Sequence, residues 1–181
     1  GSSVLWLQRD LGYIRENVSR TTVHPVYLAG DARQIVEYLE RLPSRKVVLA
    51  MPGIPSLDFD EQGRAIPETQ RTPLVPDMNT LVSGLAGAYT YAGHWGETPA
   101  YAARRQDLQR FFLESTSDAE RWDLIRKANA NFVIAPARDS LPGMPLADLR
   151  AFGRPVISGP RFQLIRVELP PDLSASGDQR R

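Results

Sequence analysis

Lys46-Val47-Val48-Leu49-Ala50-Met51-Pro52-Gly53 is the stretch that decides the fold. An apolar run without alternation reads as a strand covered on both faces, as in the interior of an α/β sheet, and Pro52-Gly53 ends it. A second such run, Asn131-Phe132-Val133-Ile134-Ala135, closes at Pro136. Ahead of the first run, Asp31 suits the cap of a helix whose third position is Gln34. Ile35, Tyr38, Leu39 and Leu42 line one face of that helix until Pro43 stops it. Further upstream, Leu7, Leu11, Ile14 and Val18 fall at steps of four, three and four, which predicts an amphipathic helix over about 4–18. Pro25 demotes 23–28 to an edge strand or an extended lead-in.

Between the two runs, 79–86 reads as a short helix with Gly84 and Gly87 as breakers, and 88–92 as a strand. Pro99 opens a helix to about 114 with Leu108, Phe111 and Phe112 inward. Ser117 and Glu120 make a capping box for a partner helix that buries Trp122, Ile125 and Ala128. These two helices are expected to pack as a hairpin. After the second run, Leu146, Leu149 and Phe152 predict a helix over 145–152, ended by a left-handed cap at Gly153. A β-hairpin then joins 155–157 to 162–168 across Ser158-Gly159-Pro160-Arg161, with Phe162, Leu164 and Arg166 on one face. The expected architecture is a layered, Rossmann-like α/β sandwich with a partly parallel sheet and an antiparallel C-terminal hairpin. It divides the chain into an N-terminal helix and lead-in (1–30), the α/β domain (31–169) and a polar, disordered tail (170–181). Right-handed crossovers put the loops after Met51, Ala92 and Ala135 on one rim.

Composition narrows the chemistry. The 181 residues carry 22 Lys plus Arg against 21 Asp plus Glu, so no global positive field gathers nucleic acid. With no cysteine and two histidines, thiolate chemistry and ordinary zinc sites fall away, and neither a metal nor a cofactor is expected. No run of about 18 apolar residues is present. The start Gly1-Ser2-Ser3, without methionine, reads as the head of a piece cut from something longer.

Tyr89-Thr-Tyr-Ala-Gly-His-Trp-Gly-Glu-Thr-Pro99 runs from a β-prone stretch into a loop that holds one of the histidines. That loop follows the carboxyl end of a strand, where open α/β sheets bind ligands. His94 suits proton exchange near neutral pH, Glu97 can orient it, and Trp95 offers an apolar or sugar-stacking wall. A purely structural alternative has His94 and Glu97 bonded to loop backbone with Trp95 plugging the core. Ser83 and Ser158 lack the Gly-x-Ser-x-Gly elbow of serine hydrolases. Gly84 and Gly87 precede a strand, the wrong order for a phosphate-binding turn. Asp58, Asp60 and Glu61 fail the ligand alternation of a calcium loop. Arg104, Arg105, Arg110, Arg121, Arg126 and Lys127 are expected on the outer face of the helical hairpin, solvated or resting on anionic head groups. The proline-bearing stretch 52–76 is long enough to act as a lid or docking arm.

With Tyr91-Ala-Gly-His-Trp-Gly-Glu-Thr-Pro99, Tyr101, Arg104 and the Phe111-Phe112 pair, the chain resembles the soluble C-terminal domains of bacterial polytopic membrane proteins similar to GT-C type, lipid-phosphate-sugar-dependent glycosyltransferases. The resemblance covers about 31–138, with a departure at the long insertion 54–76. It implies an extracytoplasmic accessory domain, not catalytic by itself, that recognises substrate beside a membrane-embedded active site. The implied partners are the transmembrane part of its own parent chain, a lipid-linked sugar or the membrane surface. The implied binding residues are His94, Trp95, Glu97, Thr98, Tyr91, Tyr101 and Arg104. Two other readings stay open at this point: an enzyme using His94 and Glu97 as an acid–base pair, and a protein-binding module acting through 54–76.

Overall fold

A computed structural model describes residues 28, 30–54, 75–93, 96, 98–141 and 143–170. The helix expected over 4–18, the lead-in apart from Leu28, most of the 52–76 stretch and nearly all of the tail lie outside these residues. Within them, the order is α1 (Gly30–Arg41), β1 (Val47–Ala50), α2 (Met78–Ala86), β2 (Tyr89–Thr90), α3 (Tyr101–Phe111), α4 (Asp118–Ala128), β3 (Phe132–Pro136), β4 (Gly153–Ser158) and β5 (Phe162–Val167). The five strands form one open sheet in the order β2-β1-β3-β5-β4. Strands β1, β2 and β3 are parallel, whereas β5 runs antiparallel to both β3 and β4. The layered α/β architecture with a mixed sheet and a terminal hairpin is therefore as expected.

The two apolar runs are the central strands, and every residue of both is buried. From β1 the chain crosses to β2 on one side, then back past β1 to β3 on the other. Right-handed crossovers in opposite directions place α2 and the α3–α4 pair on opposite faces of the sheet. Helix α1 packs on α2 and on β4 and β5, with the Tyr38 ring edge-on to Phe132. On the other side, Phe152 gathers Phe111 and Trp122, their ring centroids 6.4 and 4.8 Å from its own. The reversal of direction lies between β1 and β3, so the crevice at their carboxyl ends is where this class of sheet takes ligands.

Several elements differ from expectation, most of them because distant partners override local pattern. No helix forms over 145–152. Pro145 and Ala147 instead pair with the α3–α4 connection, through Glu114 N–H to Pro145 O at 2.8 Å and Ala147 N–H to Phe112 O at 2.9 Å, and only a 3-10 turn at Arg150–Phe152 remains. The same pairing ends α3 at Phe111, before 114. Its start is at Tyr101 rather than Pro99, since Ala100 takes a left-handed conformation, φ 54°. Gly153 follows the Arg150–Phe152 turn in an extended conformation, φ 158°, ψ −169°, and not as a left-handed cap. It opens β4, and a Cβ there would meet the Arg166 carbonyl oxygen at 2.0 Å, so the strands require glycine for close approach. Strand β2 is shorter than 88–92, pairing with β1 only at Tyr89 and Thr90. Asp31 lies inside the first turn of α1. Its Oδ1 accepts from Ala32 N–H at 2.9 Å, while Oδ2 accepts from Arg161 and Phe162 N–H, both at 2.7 Å. It fastens the helix to the β4–β5 turn. Ser117 and Glu120 do form the reciprocal capping box of α4.

Candidate functional site

The carboxyl ends of β1, β2 and β3 share one rim, and the β4–β5 turn joins it because Phe162 lies opposite Pro136. The rim is locked at β1 by Asn79, which is buried near the start of α2. Its Nδ2 donates to Ala50 O at 3.0 Å and to Asp77 Oδ1 at 3.1 Å, while its Oδ1 accepts no hydrogen bond from the described residues. Asp77 caps α2 through Asn79 N–H at 3.0 Å. The ends of the long insertion meet here too, Ile54 and Val75 exchanging two backbone hydrogen bonds of 2.9 Å.

At β2 the chain turns away from the sheet at Tyr91. Its ring is buried, and its hydroxyl donates to Asp107 Oδ2 of α3 at 2.9 Å. Two cations gather round it. Arg104 lies 5.1 Å from the ring centroid and donates to the Tyr91 carbonyl at 3.2 Å; Lys127 Nζ is 5.8 Å from the ring and 3.7 Å from Asp107 Oδ2. The Tyr91 hydroxyl first, then the Asp107 carboxylate, raises the Lys127 pKa above its usual value, so this ammonium stays charged. Arg105 reaches across to the Gly53 carbonyl at 3.1 Å, joining α3 to the loop after β1. Thr98 and Tyr101 are half-buried, Tyr101 packing against the core. Of the residues named from the sequence, Tyr91 and Arg104 are thus in direct contact, with Thr98 and Tyr101 along the same chain segment. His94, Trp95 and Glu97 lie outside the described residues.

The basic outer face of the helical hairpin needs one correction. Arg121 is only 4% exposed: Nε donates to Phe111 O at 2.8 Å, Nη1 to Asp118 Oδ1 at 2.8 Å, and Nη2 to Leu113 O. It turns inward onto the carbonyls of Phe111 and Leu113 at the end of α3, sharing Leu113 O with Thr116 N–H at 3.2 Å.

A second feature of the rim was not read from the sequence. A cavity of about 830 Å³ lies between the 137–150 segment and the β4–β5 turn. Its floor is Ala135, Gln163 and Ile165, and its walls carry Glu114, Arg138, Asp139, Asp148 and Arg150. Arg138 pairs with Glu114 at 2.9 Å, and Arg150 grips Asp148 through Nε at 2.9 and 3.0 Å. The hydrogen bond from Arg150 holds the Asp148 carboxyl down at about 2. The available signal was Gln163, the one amide among Phe162, Leu164 and Ile165.

Among the described residues, no group of three or more His, Asp or Glu side chains could hold a metal ion, and no helix is long and apolar enough to cross a membrane. Comparison with protein-family models, curated proteins and solved structures returns no match.

Proposed function

We propose that this chain is an extracytoplasmic accessory domain of a GT-C-like integral membrane glycosyltransferase. In this reading it recognises substrate without performing chemistry, and the segment 89–104 contacts the phosphate of a lipid-linked sugar. The observation that carries the reading is the placement of Arg104 and Arg105 near the start of α3, on the ligand-binding rim. Cations near a helix N-terminus oppose the helix dipole by about 0.3–1 kcal/mol each, so an arriving anion relieves a repulsion as well as making hydrogen bonds. No acidic residue stands in that first turn, and Ala100 supplies no side-chain cap. The resemblance of 91–99 to the transferase-linked domains supports the same assignment.

The test is flotation of the chain with vesicles carrying a polyprenyl-phosphate sugar against vesicles of neutral lipid. Preferential flotation with the first, lost in the Arg104→Ala/Arg105→Ala variant while its circular dichroism is unchanged, is the expected result. Equal flotation with both vesicle types would count against it, as would a parental reading frame with no membrane-spanning segment. Turnover by the isolated chain that disappears in His94→Ala would replace it with the acid–base enzyme.

A further inference from the structure

We propose that the cavity between the 137–150 segment and the β4–β5 turn binds a neutral saccharide, with Gln163 as its central polar contact. This goes beyond the assignment above, because it concerns another part of the rim and holds whether or not the chain belongs to a membrane protein. With strands about 4.8 Å apart, the carboxyl end of β2 and the β3–β5 floor are separated by two to three spacings, roughly 10–14 Å.

Size comes first. The volume of about 830 Å³ lies within the roughly 300–1,000 Å³ of small-molecule sites and accommodates two or three sugar rings. Next is the floor. Gln163 sits on β5 opposite Ala135 and Ser158 and is half-buried, and its side-chain amide has no hydrogen-bond partner among the described residues. An amide offers two donors and an acceptor, and here it lines the cavity uncommitted to other side chains, so a ligand with both donors and acceptors can engage all of them. Adjacent sugar hydroxyls have that dual character.

Charge and backbone geometry exclude the main competitors. Two arginines face three carboxylates in the walls, and the pairs Arg138–Glu114 and Arg150–Asp148 cancel. Asp139 is left with no cationic partner among the described residues, giving the walls a local charge of −1 that disfavours phosphates and carboxylates. An extended peptide would need a free strand edge to add to. Here β3 is already paired with β1 and β5, and β5 with β3 and β4. The paired guanidinium and carboxylate groups line the cavity and retain N–H bonds and lone pairs beyond those the pairs use, suited to hydroxyls that need no net charge.

The experiment is a ¹H–¹⁵N chemical-shift titration of the whole chain. The neutral probes are maltotriose, cellotriose and triacetylchitotriose, the anionic probe is glucose 1-phosphate, and the peptide probe is acetyl-Ser-Gly-Ser-amide. At least one trisaccharide is expected to shift the amides of Ala137, Leu146 and Gln163 saturably, with glucose 1-phosphate weaker. Gln163→Leu, which keeps the side-chain volume, should weaken that trisaccharide about tenfold by losing its hydrogen bonds. Asp139→Asn, which removes the excess negative charge of the walls, should strengthen glucose 1-phosphate relative to the trisaccharide. The proposal is overturned if no trisaccharide moves those amides at concentrations up to about 50 mM, well beyond any useful affinity. It also fails if the peptide alone binds, or if Gln163→Leu, with its β5 signals still dispersed, binds like the parent. None of these outcomes bears on Arg104 and Arg105, so this site and the phosphate-contacting segment stand or fall separately.

Discussion

Replacing Asp31 by alanine should show how strongly the rim is fastened. The carboxylate receives three backbone N–H groups, from Ala32 at 2.9 Å and from Arg161 and Phe162 at 2.7 Å each. Phe162 is buried and Arg161 is exposed, so on truncation water can reach Arg161 N–H but not Phe162 N–H. A hydrogen bond to a charged group is worth about 1.5–3 kcal/mol, and a buried donor left bare costs on the same scale. Counting the buried bonds of Ala32 and Phe162, and offsetting part by release of a carboxylate from a site only 4% exposed, gives a loss of about 3 kcal/mol. Urea unfolding followed by circular dichroism measures it, as a fall in midpoint at constant slope. Gly159 supplies an internal control. A Cβ there would fall 2.2 Å from the Asp31 Cβ, so Gly159→Ala must push the turn off the helix and break the same bonds. The double variant should therefore cost clearly less than the sum of the singles. A loss below about 0.5 kcal/mol for Asp31→Ala, the range of ordinary surface changes, would refute the fastening.

Arg121→Met should destabilise by about 2 kcal/mol, because Phe111 O loses its side-chain donor while Leu113 O keeps Thr116 N–H; an unchanged melting temperature would mean that water replaces the guanidinium. Trp122→Ala should cost about 2–3 kcal/mol, less than the roughly 3–5 of a fully buried ring, since Trp122 is half-buried where it meets Phe152. Asp148 titrates at about 2 when folded against 3.8 when unfolded, so its pair with Arg150 stabilises fully above 3.8, and that contribution fades as pH falls through about 2. The carboxylate is 39% exposed and solvent-screened, so the effect is about 0.5 kcal/mol; Asp148→Asn should flatten stability over that acidic window in urea titrations at successive pH values.

The strands at Val47–Ala50 and Phe132–Pro136 were legible because burial on both faces leaves an uninterrupted apolar run. The Ser117–Glu120 cap was legible because both partners lie within one turn. The segment 145–152 misled because Leu146, Leu149 and Phe152 have helical spacing, yet their backbone partners sit in the α3–α4 connection, which no local pattern reports. Arg121 misled for a related reason: on a short amphipathic helix the residue beside the apolar stripe can face either way, and here the Phe111 and Leu113 carbonyls at the end of the preceding helix draw it inward. Asp31 looked like a cap, but its strongest partners are 130 and 131 residues away. At the rim, Tyr91 was named through the resemblance of 91–99, whereas its contact with Asp107 needed the folded helix. The cavity beside Gln163 was hardly legible, since its walls come from the α3–α4 connection, the chain after β3, and β5.

Ile54 and Val75 hold each other as a single antiparallel rung, so the chain departs from the rim and returns to it at one point. Any insert whose two ends approach within about 5.5 Å can be seated on that rung without disturbing a strand. Closure entropy grows only with the logarithm of insert length. This makes the rung a natural socket, where evolution can exchange one appendage for another and an experimenter can plug in a fluorescent reporter a few strands from the proposed ligand.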